Sequence, residues 1–313
     1  MVLSGLDKGR RAIAPRVRIL YLGLPLGAEV LRRAGFSPTV ACVGHLDAPG
    51  KRRLSRSMRG LVLGKPDLED PVIVRTLASA EPDALLSWFW PRRIPAVVLA
   101  LPRRGSFGVH PSLLPRWRGP DPYFWAIRTG DRETGVTLHR LEPEYDTGAV
   151  VSARRVSIRD GENAWQLARR LDRPSLALLV ECAQRLAAGE VLAGDAQDPA
   201  LATSAPPPDE GALTIDWTAD AADVVRLVRA AAPAPGAAAL FEESLVVVEE
   251  AEETGERPPG GLAVGEGWRA GATICVRCGR GAVAVRAVLV EDAEGLPRGT
   301  RLRGAEIGRL LGS

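Results

Sequence analysis

At 313 residues, with 46% hydrophobic and 25% charged side chains, the chain can form about two domains with buried cores and reads as an ordinary globular protein. No apolar run approaches a membrane span, and Lys8, Arg10 and Arg11 precede only the short run Val17–Leu24, so neither a membrane anchor nor a secretory leader is expected. The net charge of +3 is uneven: residues 201–313 hold 11 Lys/Arg against 17 Asp/Glu, or −6, which leaves 30 against 21, or +9, for residues 1–200 and suits either an anionic partner or a solvated surface there.

In chain order, the nearly unbroken apolar run Arg16–Gly23 reads as a buried parallel strand. The turn Gly23-Leu-Pro-Leu-Gly27 hands over to a helix over Ala28–Ala34, and Thr39–Val43 is a second strand. Helix Pro71–Ala80, strand Asp83–Trp88, helix Pro95–Leu101 and strand Ser106–His110 follow. Alternation at this spacing predicts a doubly wound α/β sheet. The first turn is not G-x-G-x-x-G, so a dinucleotide site has little support. A helix over Tyr123–Thr129, strands Gly135–Leu141 and Val150–Val156, and helical periodicity through Gly161–Gly189 complete this part. Residues 193–210, rich in Asp, Ala and Pro, suit an extended linker. Beyond it, a helix over Ala221–Ala230 and β-rich runs at Ser244–Glu250, Thr273–Val276 and Ala282–Leu289 predict a small five-stranded barrel. The boundaries are therefore 1–192, 193–210 and 211–313.

The four cysteines (Cys42, Cys182, Cys275, Cys278) are too few and too scattered for a disulfide framework, which points to a reduced, cytoplasmic setting. Cys275 and Cys278 have C-x-x-C spacing but no second ligand pair, so no metal is expected. Of three histidines, His45 follows a strand in a loop and reads as solvated, and His139 reads as a packed or hydrogen-bonded sheet residue. His110 ends a parallel strand, where ligands of open α/β sheets bind, and the loop after it is stiffened by Pro111, Pro115 and Pro120. Asp146, in Tyr145-Asp-Thr-Gly148, is its natural partner. A carboxylate beside an imidazole favours the protonated ring and fixes its tautomer, which makes a proton shuttle. Ser112 lies in no G-x-S-x-G elbow, so direct transfer between two bound substrates fits better than a covalent acyl-enzyme.

These residues also carry a resemblance. His110-Pro-Ser-Leu-Leu-Pro115 with Arg118-Gly119, then Gly130-Asp-Arg-Glu-Thr-Gly135-Val-Thr, then Leu141 through Asp146-Thr-Gly148, resemble the folate-dependent formyltransferase family. Gly23-Leu-Pro25 is similar to the family's first-strand turn. Ile215-Asp-Trp217 and Pro233-Ala-Pro-Gly-Ala237 resemble the start of the C-terminal barrel in the branch that acts on methionyl-tRNA. The resemblance implies a Rossmann-like formyltransferase domain with an OB-like barrel, and formyl transfer from 10-formyltetrahydrofolate to an amine. It makes His110 and Asp146 catalytic. Gly108, Ser112 and Leu114 frame the formyl oxygen, and Ser87, Trp88, Phe89, Trp90, Pro91, Glu142 and Tyr145 lie along the pterin.

One departure stands out. The family places asparagine two residues before the histidine, and here that residue is Gly108. Three readings stay open: a substitute donor (a backbone N–H, Ser106 or His139), a slow or degenerate member that still binds folate or RNA, or altered one-carbon chemistry. Losing one oxyanion donor typically costs about 10²–10³ in rate. For the acceptor, Lys51, Arg52, Arg53, Arg56 and Arg59 are the candidates for holding initiator tRNA phosphates, although a merely solvated loop explains them equally. The acidic C-terminal part argues against tRNA, and the Pro-Asp-Pro-Tyr-Phe-Trp125 run also resembles members acting on amino sugars or peptide-pathway amines, but the C-terminal signature favours methionyl-tRNA as the expected acceptor. No membrane or DNA partner is expected.

Overall fold

The computed structural model describes residues 17–310 except Arg59 and Glu242. Lys8, Arg10 and Arg11, and the basic residue Arg59, lie outside the described residues. The described residues divide into two compact units: those up to 110 with 138–152 and 175–197 form one, and 111–137, 153–174 and those from 198 onward the other.

The first part of the chain alternates strand and helix: β1 (Ile19–Gly23), α1 (Pro25–Arg33), β2 (Val40–Val43), α2 (Lys51–Ser57), β3 (Leu61–Gly64), α3 (Pro71–Ser79), β4 (Ala84–Trp88), α4 (Ala96–Leu99) and β5 (Ser106–His110). Then come α5 (Pro122–Arg128), β6 (Glu133–Arg140), β7 (Val150–Ser157) and α6 (Ala164–Ala187). The sheet order is β3-β2-β1-β4-β5-β6-β7, with β1, β2, β3, β4 and β5 parallel in each pairing between them. The order reverses between β1 and β4, which is the switch point where open α/β sheets bind ligands. Every residue of β1, β2, β4 and β5 is buried, the reason they read as continuous apolar runs. Leu20, Leu22, Cys42 and Leu85 from the strands pack with Leu77 and Val98 from the helices. Local chemistry starts α3 sharply: Pro71 opens the first turn and the Asp70 carboxylate accepts from Val72 N. Gly23 has φ +148°, and a Cβ there would lie 1.9 Å from the Trp88 carbonyl oxygen, so only glycine lets the ends of β1 and β4 close together.

The basic run expected as a loop is instead the helix α2, because Leu54 turns inward and Gly50, at φ +87°, ends the preceding loop. β3 was also not anticipated; its residues are only partly covered, so its pattern is weak. Residues 193–210 contain a short 3₁₀ helix at Pro199–Leu201, and hydrogen bonds tie the stretch down. Asp195 and Val150 exchange backbone hydrogen bonds, Ala205 N donates to the Arg118 carbonyl oxygen, and Arg118 N donates to that of Thr203.

Beyond α7 (Glu210–Leu213) and α8 (Ala221–Ala231) lies a separate antiparallel sheet. It contains β8 (Ala237–Phe241), β9 (Ser244–Thr254), β10 (Gly267–Ala270), β11 (Thr273–Arg277), β12 (Ala282–Asp292) and β13 (Arg301–Arg303). The order is β10-β11-β12-β9-β8, with β13 also pairing β12, which makes six strands where five were expected. β8 carries little local strand signal because its sequence is Ala-rich. Cys275 is a core residue packed with Trp268, Ala282 and Ala284. Among the described residues, no group of three His, Cys, Asp or Glu could hold a metal ion, and no helix is long and apolar enough to cross a membrane.

Candidate active site

His110 closes β5 and is buried, and the turn between β6 and β7 brings Asp146 against it: Nδ1 lies 3.5 Å from Asp146 Oδ2. His139, on β6, approaches the same carboxylate from another side, with Nε2 3.6 Å from Oδ1. Both are distances of charge contact rather than of short hydrogen bonds. The two rings stand perpendicular, with centroids 6.5 Å apart. His139 Nδ1 lies 2.8 Å from the Arg140 carbonyl oxygen, a partner that can only accept. His45, by contrast, is exposed.

The turn carrying Asp146 is held in an unusual conformation. Asp146 has φ +58°, a region sparsely populated outside glycine. A Cβ on Gly148 would lie 2.0 Å from the Arg140 carbonyl oxygen, so a bare α-carbon is required there. Gln197 Nε2 donates to the carbonyl oxygens of Asp146 at 2.8 Å and Gly148 at 2.7 Å, and Thr147 donates to Glu142. Gln197 was hidden from sequence reasoning, because it lies in a stretch whose composition reads as linker.

The two segments expected to line a flat ring come together in the same unit. Arg93 donates through Nη2 to the Pro143 carbonyl oxygen at 2.8 Å and lies over the Tyr145 ring, joining the chain after β4 to residues 142–145. Ser87 and Trp88 are buried, Phe89 has φ +54° and is partly exposed, and Pro91 packs at Gly44. Trp88 Nε1 and Trp90 Nε1 are buried and have no hydrogen-bond partner among the described residues. Glu142 and Tyr145 are exposed or nearly so.

In the other unit, the loop after His110 is rigidly built. Ser112 is fully buried and donates to the Arg116 carbonyl oxygen at 2.6 Å. Thr137 Oγ1 donates to the Ser112 carbonyl oxygen at 2.7 Å and accepts from Leu114 N at 3.2 Å. Arg116 and the Trp117 indole N–H both reach Asp131. Burial pushes the Asp131 carboxyl up, but these donors outweigh it and hold it below its usual value. Leu113, Leu114 and Arg155 help line a cleft of about 440 Å³ here. Of the basic candidates, Arg52, Arg53 and Arg56 are exposed on α2, whereas Lys51 is partly covered and donates to the Leu46 carbonyl oxygen at 3.2 Å.

Comparison with known proteins adds a second line of observation. The formyl transferase family model matches residues 46–183, and the model of the formyl transferase C-terminal domain matches residues 210–297. The methionyl-tRNA formyltransferase of Aromatoleum aromaticum is 36% identical over 305 residues, covering 93% of this chain and 95% of the relative. That of Methylococcus capsulatus is 34% identical over 285 residues, covering 86% and 91%. Among solved structures, HypX from Aquifex aeolicus in complex with tetrahydrofolic acid superposes with TM-score 0.64 at 21% identity; it covers 95% of this chain, which spans about half (48%) of HypX. The N-formyltransferase from Helicobacter canadensis, with folinic acid and dTDP-3-aminofucose, gives TM-score 0.65 at 15% identity, covering 86% and 98%. At such identities the structures support the shared fold.

Proposed function

The chain belongs to the formyl transferase family, and from that premise we propose that it moves a formyl group from 10-formyltetrahydrofolate to the amino group of methionyl-tRNA. The carrying observation is the buried contact of His110 with Asp146 at the carboxyl end of β5. The acceptor is supported by relatives that bear that name along nearly their whole length. In this reading residues 1–192 are the catalytic domain, 193–210 the linker and 211–313 the C-terminal domain, and the protein works in the cytoplasm.

The chemistry asks little beyond proton movement. The amine nitrogen attacks the formyl carbon, forming one C–N bond while the carbonyl oxygen takes up negative charge. Collapse then breaks the C–N bond to the donor. One proton leaves the attacking nitrogen and one arrives at the leaving nitrogen, so none is consumed. His110, at the carboxyl end of β5 with Asp146 against its Nδ1, hands protons between the two nitrogens. Asp146 orients the imidazole. The unpartnered indole N–H groups of Trp88 and Trp90, with Phe89, Pro91, Glu142 and Tyr145, suit a flat hydrogen-bonding ring such as a pterin. The exposed Arg52, Arg53 and Arg56 of α2 supply positive charge for tRNA phosphates.

The test is mass spectrometry of methionyl-tRNA incubated with the protein and 10-formyltetrahydrofolate. A gain of one carbonyl on the methionyl nitrogen is expected. An unmodified product pool with a competent control enzyme running alongside overturns the reading.

A further inference from the structure

Gly108 and Ser106 sit on the same face of β5 as His110, by strand alternation. Ser106 Oγ donates to the Leu99 carbonyl oxygen at 2.8 Å, so its proton is directed into the fold. Gly108 has no side chain, and the space it leaves is bordered by others. A Cβ there would lie 2.7 Å from Leu141 Cδ2 and 3.3 Å from His139 Nε2. The Leu141 methyl can swing away, but the His139 ring is anchored at Nδ1 by the Arg140 carbonyl.

That anchor decides the protonation pattern. A carbonyl oxygen only accepts, so Nδ1 carries a proton. Nε2 is then either a bare lone pair turned toward the Asp146 carboxylate or a second N–H. Across 3.6 Å the first arrangement is repulsive and the second attractive. Among the groups that face His139 are Asp146 and the perpendicular ring of His110, with Arg140 next in the chain. The Arg140 guanidinium is drawn aside, over Phe107 and to the Leu192 carbonyl oxygen.

We propose that His139 is a further catalytic residue of this chain: its Nε2–H, kept in place by Asp146, is the donor that steadies the charged formyl oxygen beside the bare α-carbon of Gly108. It donates a hydrogen bond and keeps its proton, so the proton balance of the transfer is unchanged. This rests on the formyltransferase reading. Gly108 and His139 are then a matched pair, and glycine at 108 is what gives the ring room.

Two measurements test it. Because there are only three histidines, ¹⁵N-histidine NMR can follow His139 alone. Protons are expected on both its ring nitrogens; a bare Nε2 in the native protein overturns the proposal. In formyl-transfer assays, His139→Leu should lower kcat about 10²-fold with KM for the donor little changed. His139→Gln, which retains an N–H donor, should recover at least about tenfold of that loss. Gly108→Asn alone should slow the enzyme, yet added to His139→Leu it should raise kcat above the single variant. A faster Gly108→Asn enzyme, or a His139→Leu enzyme of native kcat, overturns the proposal. Absence of turnover by the native chain would sink the formyltransferase reading instead, while the ring-nitrogen signals would still report on His139.

Discussion

Asp146 occupies a backbone conformation that few non-glycine residues adopt, and hydrogen bonds from the distant side chain of Gln197 to the carbonyl oxygens of Asp146 and Gly148 help to hold it there. Strain of this kind persists only where neighbours over-determine it. Gln197→Ala should therefore lower kcat by about tenfold through a loosened turn, with unfolding temperature only modestly reduced; kinetics beside thermal denaturation checks this. His110→Ala and Asp146→Ala act on the proton path itself and should each lower kcat by about 10²–10⁴ while circular dichroism stays native. Gly148→Ala is different in kind. Its new methyl meets the Arg140 carbonyl, so it should cost about 1–3 kcal/mol of stability, read by denaturant titration.

At the scale of elements, α1 and α2 are joined through Glu29. Its carboxylate accepts from Arg32 and Arg33 on its own helix and from Ser57 at the end of α2. The Arg32 hydrogen bond is the main reason its pKa falls from 4.5 to about 2, with burial opposing and Arg33 assisting. A depressed carboxylate stabilises the fold above its unfolded pKa and loses that effect as pH falls through the folded one. The Tm advantage of the native chain over Glu29→Gln should thus be full above pH 4.5 and vanish by about pH 2. The same tie holds α2 with Arg52, Arg53 and Arg56 outward. Exchanging Arg52 and Arg53 for glutamate should raise KM for tRNA and reduce the salt slope of binding by about 2, with kcat preserved.

Across the whole molecule, the sequence determined the alternation of buried strands and helices, the strand ending in His110, the turn bearing Asp146 and the change to an antiparallel sheet after residue 210. Those features are written in local periodicity and in blocks of adjacent residues. It also left a histidine on β6 looking like ordinary sheet packing, a glutamine looking like linker, and a basic run looking like loop. Only the tertiary structure decided those, because each depends on residues far apart in the chain. His139 gains its role from Gly108 and Asp146, Gln197 from a turn some fifty residues earlier, and α2 from the inward Leu54. Local pattern records which way a side chain faces; the fold alone determines what it meets there.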